Sequence, residues 1–166
     1  MTRIEVVLGD ITREHVDAIV TAANESLMGG GGVDGAVHRA AGPRLAEAGA
    51  AIGPCDPGDA MATPAFDLAP VRHVIHTVGP VWEGGDDGEA EVLASCYRRC
   101  LEVADGLGAR TVAFPAIATG VYGFPPDLAA RIAVETITAT ESAVETVRLV
   151  AFDADARALL LARLPA

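Results

Sequence analysis

Short apolar runs alternate with amphipathic stretches along the whole chain, and this alternation restricts the fold more than any other feature. IEVVLGDI (residues 4–11) and DAIVTAAN (17–24) read as strands, the second apolar enough to lie inside a sheet. DGAVHRAAGPRLAEAGAAI (34–52) has helical spacing that breaks near Gly42 and Pro43, and Pro43 is predicted to open a second helical piece, where its missing N–H costs nothing. GDAMATPAF (58–66) and VRHVIHTVGPVW (71–82) are predicted strands. GEAEVLASCYRRCLEVADGLGA (88–109) is a long amphipathic helix with Val92, Leu93, Cys96, Cys100, Leu101 and Val103 near one face. TVAFPAI (111–117) and VETVRLVAF (144–152) are strands; PDLAARIAVETITATE (126–141) and ADARALLLARL (154–164) are helices. Strands separated by helices predict an α/β fold, a sheet covered by helices on both faces. With 166 residues, 51% of them hydrophobic, the chain suits one domain over 1–166, and no repeat or linker divides it.

Charge narrows the range of partners. The formal net charge is −11, and all twelve basic residues are arginine. Duplex nucleic-acid binding rests on a positive surface, so it is not expected. An anionic small ligand remains open, because distant surface charge is screened within about 8 Å at physiological salt and local backbone N–H groups can hold a phosphate. No apolar run approaches a membrane span, and the N-terminus enters a strand directly, so the expectation is a cytoplasmic protein without a membrane partner, acting as a monomer. Cys55, Cys96 and Cys100 match no common zinc spacing; they are expected to be reduced, partly buried thiols, with no metal and no cofactor.

In a sheet of this kind ligands bind where the strands end. Gly9 and Asp10 end the first strand, NESLMGGGGVDG (24–35) follows the second, PAIATGVYGFP (115–125) follows the fifth, and FDAD (152–155) follows the last. The run Gly29–Gly32 sits between a strand and a helix that must pack together, which argues against a linker. Glycine carries no Cβ, so the backbone can touch a ligand. Gly30, Gly32 and Gly35 satisfy G-x-G-x-x-G, but they do not follow the first strand directly, and Asp34 would set a carboxylate beside a pyrophosphate. A dinucleotide fold is therefore rejected, and so is a P-loop, since no G-K-[ST] follows. Gly120 and Gly123 form a second loop, closed by Pro125 and Pro126, and two facing loops can wrap a diphosphate with N–H groups.

GDIT (9–12), AIVTAANESLMGGGGVDGAVHRAAG (18–42), HVIHTVGPVW (73–82) and ATGVYGFP (118–125) together resemble a macrodomain, and more narrowly the MacroD-type branch, whose hallmark is GGGGVDG. The resemblance runs through nearly the whole chain in order. It implies a three-layer α/β/α sandwich around a mixed, mostly six-stranded sheet, with an ADP-ribose cleft at the strand ends. It further implies metal-independent removal of ADP-ribose from acidic side chains of proteins, or of acetyl from O-acetyl-ADP-ribose.

Residue by residue, the resemblance assigns Asp10 to the adenine amino group, with the Ile11 backbone beside it; a capping role for Asp10 is the alternative. Phe152 falls where the family packs a side chain on adenine, or is simply core. Asn24 matches the Asn that bonds the distal ribose, or shapes a turn. Gly31, Gly32 and Val33, with Thr119, Gly120, Val121, Tyr122 and Gly123, match the loops that hold phosphates and ribose, and Phe124 the aromatic that packs on the distal ribose. Asp34 matches the catalytic acid that positions water, assisted by Asn24; as a bland alternative it caps the helix. His38, one turn later on the same face, buttresses Asp34 or the ribose, or is structural. The family reads V-N-A-A-N, whereas this chain has Thr21 in place of the first Asn, which alters the hydrogen bonds that support Asn24. A non-catalytic reader of ADP-ribose is the competing function, and Asp34 favours the hydrolase.

Overall fold

The computed structural model describes residues 2–165. Its strands are β1 (Arg3–Leu8), β2 (Ala18–Ala22), β3 (Ala60–Pro64), β4 (His73–Thr77), β5 (Thr111–Phe114) and β6 (Thr146–Ala151). They form one sheet in the order β1-β6-β5-β2-β4-β3, with every neighbouring pair parallel except β3 against β4. The helices are α1 (Gly32–Ala41), α2 (Arg44–Ile52), α3 (Glu89–Leu107), α4 (Pro126–Ala139) and α5 (Ala154–Leu161).

Period-two alternation in the strands sorts the layers. Ala18, Val20, Ile75, Val112, Phe114, Val147 and Leu149 point to the face covered by α3, α4 and α5. Ile19, Val74, Ala113 and Val150 point to the other face, where Val37 and Ala41 of α1 and Leu45 of α2 close a second core. The result is the expected three-layer α/β/α sandwich around a mixed six-stranded sheet. Central strands β2, β5 and β4 are buried on both faces, which is why they read as continuous apolar runs.

Several element limits differ from the sequence expectation. Residues Val78–Trp82 leave β4 rather than extend it: Gly79 passes where a Cβ would stand only 3.0 Å from the Ala118 and Ile117 side chains, and Pro80 follows. Helix α1 begins at Gly32 rather than Asp34, so the last glycine of the run is already helical. Pro43 precedes α2 as its N-cap instead of opening it, while Pro126 opens α4 as expected. The buried stripe of α3 is Leu93, Cys96, Tyr97, Cys100, Leu101 and Ala104; Tyr97 was hidden from the apolar count, and Val92 and Val103 sit at its margin. All three cysteines are free thiols and wholly buried rather than partly so. Among the described residues no helix is long and apolar enough to cross a membrane.

This topology brings the ends of all five parallel strands to one edge. After β2 the chain turns to β3 and β4 on one side, then crosses to β5 and β6 on the other. The crevice beside β2 is therefore the switch point at which α/β sheets take ligands.

Candidate active site

Asn24 follows β2 and folds the loop ahead of α1. Its Oδ1 accepts from the Ser26 N–H at 3.1 Å and the Ser26 hydroxyl at 2.6 Å, while its Nδ2 donates to the Gly29 carbonyl at 3.0 Å. The turn-shaping role is thus real, and it fixes the amide in one orientation. The loop then delivers the start of α1. The first helical N–H bond runs from Gly35 to the Gly31 carbonyl at 3.2 Å, so the N–H groups of Gly32, Val33 and Asp34 have no carbonyl one turn back. Gly31 and Gly32 are exposed, with no atom within 4 Å of where a Cβ would stand. An open ring of N–H groups at a helix start is a ready site for an anion.

Asp34 is the third residue of α1, in its first turn, and its side chain caps no N–H. Its carboxylate is 2% exposed and turns toward the sheet. Oδ1 accepts from the Thr21 hydroxyl at 2.9 Å and lies 3.5 Å from His38 Nε2. Oδ2 is buried and unpartnered. A Cβ placed on Gly30 would stand 3.4 Å from this Oδ2 and 3.4 Å from Asn24 Nδ2, so the free oxygen and the amide converge on the glycine loop. Burial pushes the Asp34 carboxyl above its usual range, while the Thr21 hydrogen bond and His38 pull it back. Thr21 therefore serves Asp34, not Asn24 as the sequence implied. It shares the α1 face of β2 with Ile19, whereas Asn24 lies beyond the strand end.

His76 joins this group from β4, in register with Thr21. Sequence reasoning missed it, since it reads as one polar residue in an apolar strand. It is wholly buried, its Nε2 lies 2.9 Å from Thr63 Oγ1, and its Nδ1 has no partner. Burial, with His38 second, lowers its imidazole to about 4. Asp34, His38 and His76 bring side-chain atoms within 4.8 Å of one another.

The second loop faces the first. Ala118 adopts a left-handed φ of +67°, and Gly123 one of +73°. Gly123 N–H donates to the Gly120 carbonyl at 3.0 Å and Phe124 N–H to the Ala118 carbonyl at 2.9 Å, which closes residues 118–124 into a tight loop. Val121 at its tip is fully exposed, Thr119 and Tyr122 are half-buried, and Gly120 and Gly123 meet open space. Phe124 is buried, its ring 4.8 Å from that of Trp82, whose N–H donates to the Tyr122 carbonyl at 2.8 Å. Trp82 is thus a support for this loop that the sequence did not single out.

At the far end, Asp10 caps a 3-10 turn over Ile11–Arg13, accepting from Thr12 N–H at 2.9 Å and from its hydroxyl at 2.7 Å. These bonds hold its carboxyl below the usual range. Both go to Oδ1, and the side chain is exposed, so Oδ2 faces outward 3.9 Å from Arg13. Ile11 is buried under α1. Phe152 is 85% exposed, which removes the core alternative for it.

The macro domain family model matches residues 20–133. The chain is 56% identical over 170 aligned residues to a macro domain-containing protein of Streptomyces coelicolor, covering 99% of each. It is 58% identical over 139 residues to a protein of Enterobacter cloacae named O-acetyl-ADP-ribose deacetylase, covering 81% of this chain and 77% of that one. Among solved structures, the Oceanobacillus iheyensis macrodomain with ADP superposes with a TM-score of 0.91 at 42% identity, over 96% of this chain and 88% of that one. The Trypanosoma brucei macrodomain in complex with ADP-ribose gives 0.86 at 38% identity, over 95% and 67%. By sequence, by sheet order and by the two glycine loops at the strand ends, the chain belongs to the macro domain family.

Proposed function

We propose that this macro domain binds ADP-ribose and hydrolyses its acyl esters, releasing ADP-ribose from acidic side chains of proteins and acetate from O-acetyl-ADP-ribose. The observation that carries this reading is the unpartnered Oδ2 of Asp34, buried beside Asn24 at the rim of the glycine loop. A module that only bound ADP-ribose has no need of a desolvated carboxylate oxygen there. The N–H groups at the start of α1 and the loop 119–123 would receive the diphosphate. Asp10, the Ile11 backbone and Phe152 would take adenine, and Asn24 and Phe124 would order the distal ribose. Relatives named O-acetyl-ADP-ribose deacetylase and neighbours solved with ADP or ADP-ribose support the same assignment.

In this mechanism Asp34 Oδ2 accepts a hydrogen bond from a water, orients it and takes its proton as its oxygen attacks. Burial favours that role by bringing the carboxyl nearer neutral pH, and proton transfer of this kind contributes typically about 10²–10⁴-fold. N–H groups of the glycine loops stabilise charge that develops on phosphate and ribose. No step needs a metal. For a glutamate ester, attack at the anomeric carbon leaves the water oxygen on ribose, and attack at the acyl carbonyl leaves it on glutamate.

The decisive experiment uses O-acetyl-ADP-ribose and a glutamate-ADP-ribosylated protein, with product release followed chromatographically. Asp34→Ala is expected to lose nearly all turnover while keeping ADP-ribose affinity, the mark of an interaction made mainly in the transition state. Asn24→Ala is expected to lose both. A wild-type protein that binds ADP-ribose but turns over neither ester would make it a reader, with Asp34 a structural residue.

A further inference from the structure

A carboxylate with one committed oxygen and one free oxygen needs something to decide which is which. In Asp34 that decision falls to the other side of the sheet–helix interface. Thr21 is wholly buried, in register with His76, on the β2 face that carries α1. Its hydroxyl has a single hydrogen, and it points at Asp34 Oδ1 from 2.9 Å. Threonine is stiff at χ1, so the donor stays where the strand puts it.

The other groups around Asp34 do not perform this task. His38, on the same helix, has Nε2 at 3.5 Å from Oδ1 and makes no hydrogen bond through it. His76 from β4 bonds Thr63 and leaves its other nitrogen unpartnered. Asn24 spends its amide on Ser26 and Gly29. From the 3-10 turns packed against α1, Asp10 turns to Thr12 and Arg13, and Asp67 to Arg44; from α2, Arg44 pairs with Asp67.

We propose that Thr21 is the positioning residue of Asp34: its one donated hydrogen bond fixes Oδ1 and aims Oδ2 at the corner formed by Asn24 and Gly30. The kinetic consequence rests on the hydrolase reading; the effect on Asp34 itself does not. Without the hydroxyl the carboxylate is free to turn and easier to protonate. A hydrogen bond donated to an ionised group is worth about one or two pH units in its titration midpoint.

The test follows Asp34 directly in the full-length chain, by carboxyl ¹³C NMR titration, in the wild type and in Thr21→Val, Thr21→Ala and Thr21→Ser. Turnover against pH and ADP-ribose affinity are measured on the same proteins. Thr21→Val, which keeps the shape, is expected to raise the Asp34 midpoint by about one unit or more. The acidic limb of kcat should move alkaline by the same amount, so that kcat at a fixed pH on that limb falls roughly tenfold with ADP-ribose Kd within about twofold. Thr21→Ser restores both. Thr21→Ala gives the same reading should the valine variant fold poorly. An Asp34 midpoint unchanged in a folded variant without the hydroxyl overturns the proposal, as does a serine variant that behaves like valine. A wild type without turnover whose Asp34 midpoint still moves in Thr21→Val removes the hydrolase reading and leaves the role of Thr21 standing.

Discussion

Gly35→Ala separates the shape of the site from the stability of the fold. Gly35 sits on the buried side of α1, and a Cβ there would stand 2.8 Å from the Gly30 carbonyl oxygen. Ordinary contact starts at 3.4 Å, so the loop must retreat by about 0.6 Å. Arg39 Nη1, 3.2 Å away, can swing aside; the backbone of the glycine loop cannot do so without carrying the Asn24–Asp34 corner with it. Misplacement by about 1 Å can cost about 10²-fold in rate, so a shift of this size is expected to lower kcat/KM by roughly 10-fold to 10²-fold. Stability moves far less. Ala gains about 1 kcal/mol over Gly in a helix, against about 1–3 kcal/mol of overpacking. The net loss is about 0–2 kcal/mol, or at most about 8 °C in Tm for a chain of this length. Ester hydrolysis, ADP-ribose calorimetry and thermal melting decide it, with Gly31→Ala, where a side chain meets open space at an ordinary φ of −93°, as the control with unchanged Tm. A Gly35→Ala protein with wild-type turnover and affinity and a raised Tm would refute the claim that this glycine sets the loop.

Three further outcomes follow from the structure. Gly49→Ala should cripple folding outright, with a loss above about 3 kcal/mol in denaturant titration, because its Cβ would stand 1.8 Å from the carbonyl oxygen of the wholly buried Leu27, itself held at a φ of +59°. His76 should make the fold acid-sensitive: the unfolded chain takes its proton near pH 6.5 but the folded chain resists until about 4, so about 3 kcal/mol present above pH 6.5 drains as pH falls through that window, and His76→Gln should flatten the slope between denaturation at pH 7 and at pH 4.5. Asp10→Ala should weaken ADP-ribose binding by about 1.5–3 kcal/mol in calorimetry, and should cost about 1 kcal/mol of stability through the lost 3-10 cap; a drop in Tm with affinity intact would assign Asp10 to capping alone.

The order of elements was legible because strands and helices differ in period, and the layers followed from that order. The positions of the loops 29–32 and 118–124 at strand ends were legible too, since each follows an apolar strand run in the sequence. What stayed hidden depends on which element packs on which face. Thr21 reads as a neighbour of Asn24 until α1 is known to lie over the odd-numbered side chains of β2. His76 reads as a lapse in an apolar strand until its register with Thr21 is known. Asp34 reads as a cap because Gly32, at a φ of +58°, does not announce that the helix has already begun. Phe152 shows the converse: a phenylalanine at the end of a buried strand looks like core, yet it is exposed because β6 ends at Ala151.

The three thiols give this molecule its own clock. Cys96 and Cys100 lie inside the stripe of α3 and Cys55 beneath the turn that leads into β3, and burial raises all three, Cys55 to about 11. Protonated and out of reach, they are inert toward alkylating reagents while the chain is closed. Each adduct therefore dates an opening event. The Cys55 adduct reports local release of residues 53–59, and the Cys100 adduct reports separation of α3 from the sheet. A mass spectrum taken after a timed pulse of alkylating reagent reads the two apart without any label having to be engineered into the chain.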